Sequence, residues 1–200
     1  DRSLAQVIED MIRYSCTQCC NRVLERVGPE RVLAILPSPR YSFSDATPGG
    51  GIWLGKDFGP APAYHRDPLA GLSHGATTFQ VARFYCGLEQ GELVGPDQTR
   101  LMREAMSEPG IRHKFVKGLA SHDDLRMFRK SGTWRDFHAD SVLVETGDQA
   151  YVMVALAHSK KGSAWLEGLA EPLHQLAVST DPGERFLKGS FAAAPAVTAT

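Results

Sequence analysis

Residues 129–135 read RKSGTWR. The stretch ends one strand-like run and turns into the next. Its value lies in what surrounds it. Upstream, LRMFRKSGT (125–133) is rich in strand-forming residues. Downstream lie DSVLVET (140–146) and AYVMVALA (150–157), separated by TGDQ (146–149). Two such runs around a short Gly-Asp turn pair as a hairpin. Residues 163–178 then carry Leu166, Leu169, Leu173 and Leu176 at steps of threes and fours, which predicts an amphipathic helix.

The first half reads as helix. Leu4, Val7, Ile8, Met11 and Ile12, then Cys19, Cys20, Val23, Leu24 and Val27, recur at helical spacing, as one helix or two. Ser15-Cys16-Thr17-Gln18 has the form of a capping box and could start a second helix. Gly28-Pro29 ends the segment, and PERVLAIL opens a short helix with proline at its first position. Further helices are predicted at about 75–90, at 96–107 and in the short stretch IRHKFVKGL. Residues 37–70 are rich in Pro, Gly and aromatics, too long for an idle connection and so expected to be functional. Helices, then an antiparallel hairpin, then a closing helix make an α+β arrangement with the sheet flanked by a helical region.

The 200 residues suffice for one core plus a tail. We expect a single domain over 1–182 and a disordered Ala/Pro/Thr-rich tail over 183–200. A formal net charge of −1 gives no electrostatic reason to expect nucleic acid or an anionic membrane surface as a partner. No apolar run approaches the roughly 18–20 residues of a membrane-spanning helix. The chain opens on DRSLAQVIED, without Met and directly on an amphipathic pattern, so the N-terminus does not reveal localisation.

Three of the four cysteines, Cys16, Cys19 and Cys20, crowd one stretch, and Cys86 stands apart. Structural zinc would need a second ligand pair at suitable spacing. A redox pair would want Cys-x-x-Cys after a strand, opening a helix; here a helix precedes it. Plain packing of small apolar side chains is the expectation, with no disulfide and no metal. The histidines, His65, His74, His113, His122, His158 and His174 among them, share no metal-ligand spacing, and no cofactor is expected.

Together, MIRYSCTQCCNRVLERVG and RKSGT resemble the penicillin-recognising serine hydrolases: class A-like β-lactamases and their penicillin-binding-protein relatives. The resemblance covers about residues 3–180. Ser15-Cys16-Thr17 occupies the place of that family's Ser-x-Asn loop, Asn21 that of a following helical Asn, and Lys130-Ser131-Gly132-Thr133 that of its Lys-Thr/Ser-Gly strand. The resemblance implies a β-lactamase/transpeptidase-like fold and acyl-enzyme chemistry on an amide, ester or β-lactam group. The substrate is then a small-molecule or peptide-like acyl compound, and the location periplasmic or otherwise extracytoplasmic.

It also implies roles. Ser15 would shuttle a proton to the leaving group, with helix capping as its structural alternative. Lys130 would hold Ser15 and the substrate carboxylate. Ser131 and Thr133 would bind that carboxylate, Gly132 would let substrate approach the strand, and Thr17 would meet the substrate amide. Asn21 would brace the long loop. Arg135 and His138 would serve the site rim or the hairpin turn.

The chain also departs from the family pattern. No serine has Lys three positions on, so the family's Ser-x-x-Lys nucleophile is not in this sequence. The chain is therefore expected to be the C-terminal part of such a hydrolase, without the N-terminal strands and nucleophile helix, and inactive as it stands. No Glu occurs between Arg31 and Leu88, where the class A enzymes carry a deacylation base; Asp45, Asp57, Asp67 and His65 are present but in another pattern. General-base assistance is worth roughly 10²–10⁴ in rate, so an ester, amide or peptide is favoured over a β-lactam. The rival reading is a non-catalytic binding module that keeps the groove and lacks the chemistry.

Overall fold

The computed structural model describes residues 2–44, 51–60, 62–68 and 70–179. The predicted tail over 183–200, the domain's end at 182 and Asp45 lie outside the described residues.

The N-terminal helical run is two helices. α1 (Leu4–Arg13) starts at a capping box in which Ser3 and Gln6 satisfy each other's backbone N–H. α2 (Thr17–Val27) follows after a short join. Two expectations fail at that join. Ser15 does not cap α2; Cys16 does, its sulfur accepting from the Cys19 N–H. The cysteines are not merely packed either, because Cys16 and Cys19 form a disulfide. One geometric fact explains both outcomes. Side chains at the N-cap and at the third helical position meet across the first turn, and the residues in those positions are both cysteines. Cys20 and Cys86 are free thiols.

Gly28, at φ 85, turns the chain into α3 (Pro29–Ile35), which has Pro29 at its first position. A small ribbon that the sequence did not announce ties the long Pro/Gly-rich segment to the stretch just after it: β1 (Trp53–Leu54), within the segment, pairs antiparallel with β2 (His74–Gly75), beyond its end. Helix resumes with α4 (Thr78–Glu89), capped by Thr77, then α5 (Pro96–Met106) and the single turn α6 (Phe115–Gly118).

The three strands form as predicted: β3 (Arg126–Trp134), β4 (Phe137–Thr146) and β5 (Gln149–His158), antiparallel in the order β3-β4-β5. β4 begins earlier than its apolar run because Trp134 pairs with Phe137 across a two-residue turn. Arg135 takes φ 51 there, a conformation needed to reverse the chain so tightly. α7 (Gly162–Ser179) closes the chain.

Val142, Leu143 and Val144 are each at most 1% exposed, which marks β4 as covered on both faces. Alternation decides which face each residue serves. Val142, Val144 and Met153 pack with Leu166 and Ala170 of α7 and with Phe115 and Leu119. Leu143 and Phe128 pack on the other side, with Tyr85 and Leu88 of α4 and Met106 of α5. The sheet is thus sandwiched between helices, an α+β arrangement that fixes β3 as an outer strand beside the α1–α2 join.

Candidate active site

The site grows from the meeting of that join with β3. Tyr14 ends α1 and Ser15 takes φ 55, a left-handed conformation rare for a residue with a Cβ. The turn aims the Ser15 hydroxyl at β3, where Lys130 Nζ donates to Ser15 Oγ at 2.7 Å. Residues far apart in sequence thus meet in one hydrogen bond. Lys130 Nζ also donates to the Ser131 carbonyl. From beneath, Ser141 Oγ donates to the Lys130 carbonyl at 2.9 Å, and the buried Tyr85 hydroxyl donates to the Ser141 carbonyl at 3.0 Å. Burial lowers the pKa of Lys130; the neighbouring Cys20 opposes that shift, and Arg129 adds to it. A partly desolvated ammonium against a hydroxyl polarises that hydroxyl and orients its proton.

The remaining β3 residues line up along the strand. Ser131 is buried, Gly132 half-buried and Thr133 exposed. A Cβ on Gly132 would meet only Ala139 Cβ, at 3.9 Å, so the protein itself leaves room there.

A residue that sequence reasoning missed holds this end of the strand. Lys114, only 1% exposed, sends Nζ to the Gly132 carbonyl at 2.7 Å, Thr133 Oγ1 at 2.9 Å and the Ala139 carbonyl at 3.0 Å. Three ammonium donors thus meet three acceptors. Burial lowers its pKa to about 8, with Asp140 opposing and Arg129 and Lys130 adding to the shift. No local pattern marks this lysine. Its position follows from the loop before α6, which a buried ion pair ties to the sheet. Arg129 Nε and Nη2 bind Asp140 at 2.7 and 2.9 Å, while the other side of the guanidinium donates to the carbonyls of Ile111 and His113. Asp140 also accepts from the Phe115 N–H at 3.0 Å.

On α2, Thr17 is exposed at the first turn. Asn21, one turn on, makes two hydrogen bonds to the Phe58 backbone: its amide donates to the carbonyl at 2.9 Å and its Oδ1 accepts from the N–H at 2.8 Å. This ties the long segment to α2. Other polar residues of that segment brace it as well. Asp67 accepts from the N–H groups of Ala70 and Leu72, whereas His65 reaches out of the segment to Glu30 on α3. Arg135 sits in the β3–β4 turn, and His138 lies under Gly162, where a Cβ would come within 2.6 Å of its ring. Among the described residues, no group of three or more His, Cys, Asp or Glu is arranged to hold a metal ion.

The sequence profile of the beta-lactamase enzyme family matches residues 1–176. No curated protein matches the chain. Among solved structures, the chain is similar to a beta-lactamase from Sphaerobacter thermophilus (TM-score 0.67, 15% identity), covering 90% of this chain and 65% of that one. It is similar to PBP-A (TM-score 0.66, 14% identity), covering 88% and 61%. It is also similar to a beta-lactamase from Burkholderia ambifaria (TM-score 0.69, 14% identity), covering 90% and 67%. The fold is therefore β-lactamase-like, and the chain spans about two thirds of the length of these neighbours.

Proposed function

The chain belongs to the beta-lactamase enzyme family, and we propose that its full-length protein is a serine hydrolase working through an acyl-enzyme. The substrate is an amide, ester or β-lactam of a small or peptide-like acyl compound. The observation that carries this reading is the 2.7 Å contact between Lys130 Nζ and Ser15 Oγ. A desolvated lysine gripping a hydroxyl on a strained turn is costly for stability alone, and it suits a proton relay.

In this reading the acyl-accepting serine comes from a segment N-terminal to Asp1. Its hydroxyl proton passes to a base carried by the same upstream segment as its oxygen bonds to the substrate carbonyl carbon. As the tetrahedral intermediate collapses, the C–N or C–O bond breaks and the leaving atom takes the Ser15 proton, which the proton held by that base replaces. Lys130 keeps the Ser15 oxygen supplied with a donor while its proton leaves. Thr133 Oγ1 already accepts from Lys114, so its own O–H is available to donate to a substrate carboxylate, with Ser131 beside it. β3 is an outer strand among the described residues, so its outward backbone N–H near Thr133 can serve as half of an oxyanion hole. Thr17 supplies a hydroxyl for the substrate amide, and Asn21 holds the long segment in place. With no Glu in that segment, ester turnover should outrun β-lactam turnover.

The test is mass spectrometry of the full-length gene product after exposure to a penicillin and to an activated ester. A covalent adduct on a serine N-terminal to Asp1, with ester turnover, is the expected result. Binding of either compound without an adduct would overturn the hydrolase and leave the groove as a non-catalytic binding module.

A further inference from the structure

We propose that the Cys16–Cys19 bridge is a reversible dithiol–disulfide switch that sets the position of Ser15 and Thr17. Its reductant is a small dithiol or a dithiol protein. The bridge lies within the candidate site. Cys16 separates Ser15 from Thr17 in the chain, and its disulfide partner stands one helical turn into α2. The two sulfurs differ in access. Cys19 is 6% exposed, whereas Cys16 is only partly covered, at the helix N-terminus.

That asymmetry gives the exchange a direction. An incoming thiolate reaches Cys16 Sγ, forming a mixed disulfide and expelling Cys19 as its thiolate, which takes a proton. The reductant's second thiol then attacks its own sulfur in the mixed disulfide. This releases Cys16 as a thiolate and leaves the reductant as a cyclic disulfide. Two electrons and two protons pass from reductant to protein. The Cys16 thiolate is favoured where it forms, because the Cys19 N–H already points at Cys16 Sγ at 3.1 Å and the helix N-terminus adds its dipole. Cys20 is a free thiol beside the bridge. It points about 100° away from Cys19 around the helix, and burial raises its pKa, so it is a slow nucleophile toward the bridge.

The bridge matters because of what it holds. It ties the N-cap to the third residue of α2 and so fixes the exit of the chain from Ser15, whose φ of 55 a residue with a Cβ leaves when released. Reduction leaves only the Cys19 N–H bond to Cys16 Sγ in place of the covalent tie, so Ser15 and Thr17 loosen together. The oxidised form is the one with Ser15 Oγ on Lys130.

The test equilibrates the protein across ratios of reduced to oxidised dithiothreitol, then alkylates it in denaturant and locates the blocked residues by mass. At the oxidising end Cys16 and Cys19 should escape alkylation while Cys20 and Cys86 react. At the reducing end all four should react, and reoxidation should restore the first pattern. Amide hydrogen exchange over Ser15–Cys19 should quicken about tenfold on reduction, with β4 unchanged. A Cys16→Ser/Cys19→Ser variant should show the fast rate at both ends. If that variant fails to fold, the wild-type response decides. Alkylation of all four cysteines at every ratio, a bridge that includes Cys20, or exchange indifferent to reduction would overturn the switch. None of these readings depends on turnover, so they stand apart from the hydrolase reading.

Discussion

Replacing Asp140 by alanine strands a buried guanidinium. Arg129 is 3% exposed and Asp140 0%, and the carboxylate accepts two hydrogen bonds from Arg129, one from the Phe115 N–H and one from the Ser141 N–H. Removing one partner of a buried pair costs about 3–5 kcal/mol, because the remaining charge has no compensation. The orphaned Phe115 N–H adds about 1–3 kcal/mol. The sum, about 4–8 kcal/mol, rivals the total stability of a typical domain. Asp140→Ala should therefore be barely folded. Asp140→Asn, which keeps one acceptor oxygen, should be weakened but measurable in urea. A double variant, Arg129→Met/Asp140→Leu, removes both charges. It should recover most of the stability while freeing the loop that carries Lys114. Equilibrium urea unfolding of the four proteins, followed by circular dichroism, reads these effects directly. A loss below about 1 kcal/mol for Asp140→Ala would refute the reasoning, since no buried charge could then have been stranded.

Lys114 has a pKa lowered to about 8 by burial, so the unfolded chain binds its proton more tightly than the folded one. Its contribution makes stability rise with pH between about 8 and 10.5 and stay flat below. The difference in unfolding free energy between wild type and Lys114→Met should climb by about 3 kcal/mol over that window; a flat difference would contradict the burial of its charge. Gly118→Ala places a Cβ 2.3 Å from the Glu167 carbonyl and 2.6 Å from Ala170 Cβ, so it should cost about 1–3 kcal/mol in thermal unfolding as α6 is pushed off α7. Asn21→Ala removes both ties to Phe58 and should speed amide exchange around residues 55–60, leaving the strands unaffected.

The sheet and its closing helix were legible because periodicity reports burial directly. The run at 140–146 is apolar because β4 is covered on both faces, whereas β5 buries only Met153 fully. The leucine spacing locates α7 but not its inner stripe, which is Gly162, Leu166, Ala170 and His174, while Leu169 and Leu176 are exposed. The pairing of Ser15 with Lys130 could be reached only through family resemblance, because nothing local links residues so far apart. The cysteine bridge was misread for a physical reason. A helix rather than a strand precedes Cys16, which speaks against a redox pair, and Ser15–Gln18 offers a competing capping box. A cap one residue later, at Cys16, instead sets the two cysteines across the first helical turn. Lys114 was invisible because its role comes from a non-local ion pair, Arg129–Asp140, that positions its loop under β3. The β1–β2 ribbon is two residues per strand, too short for any alternation to show.

The most direct test of the central claim, that Ser15 and Lys130 act as one proton relay, is the second-order rate of acylation of the full-length protein by a fluorescent penicillin. Ser15→Ala and Lys130→Ala should each lower that rate at least a hundredfold, roughly the worth of positioned acid–base help. The double variant should fall little further, because the two side chains share one hydrogen bond. Single variants acylated within about threefold of wild type, with the fold intact by circular dichroism, would contradict it.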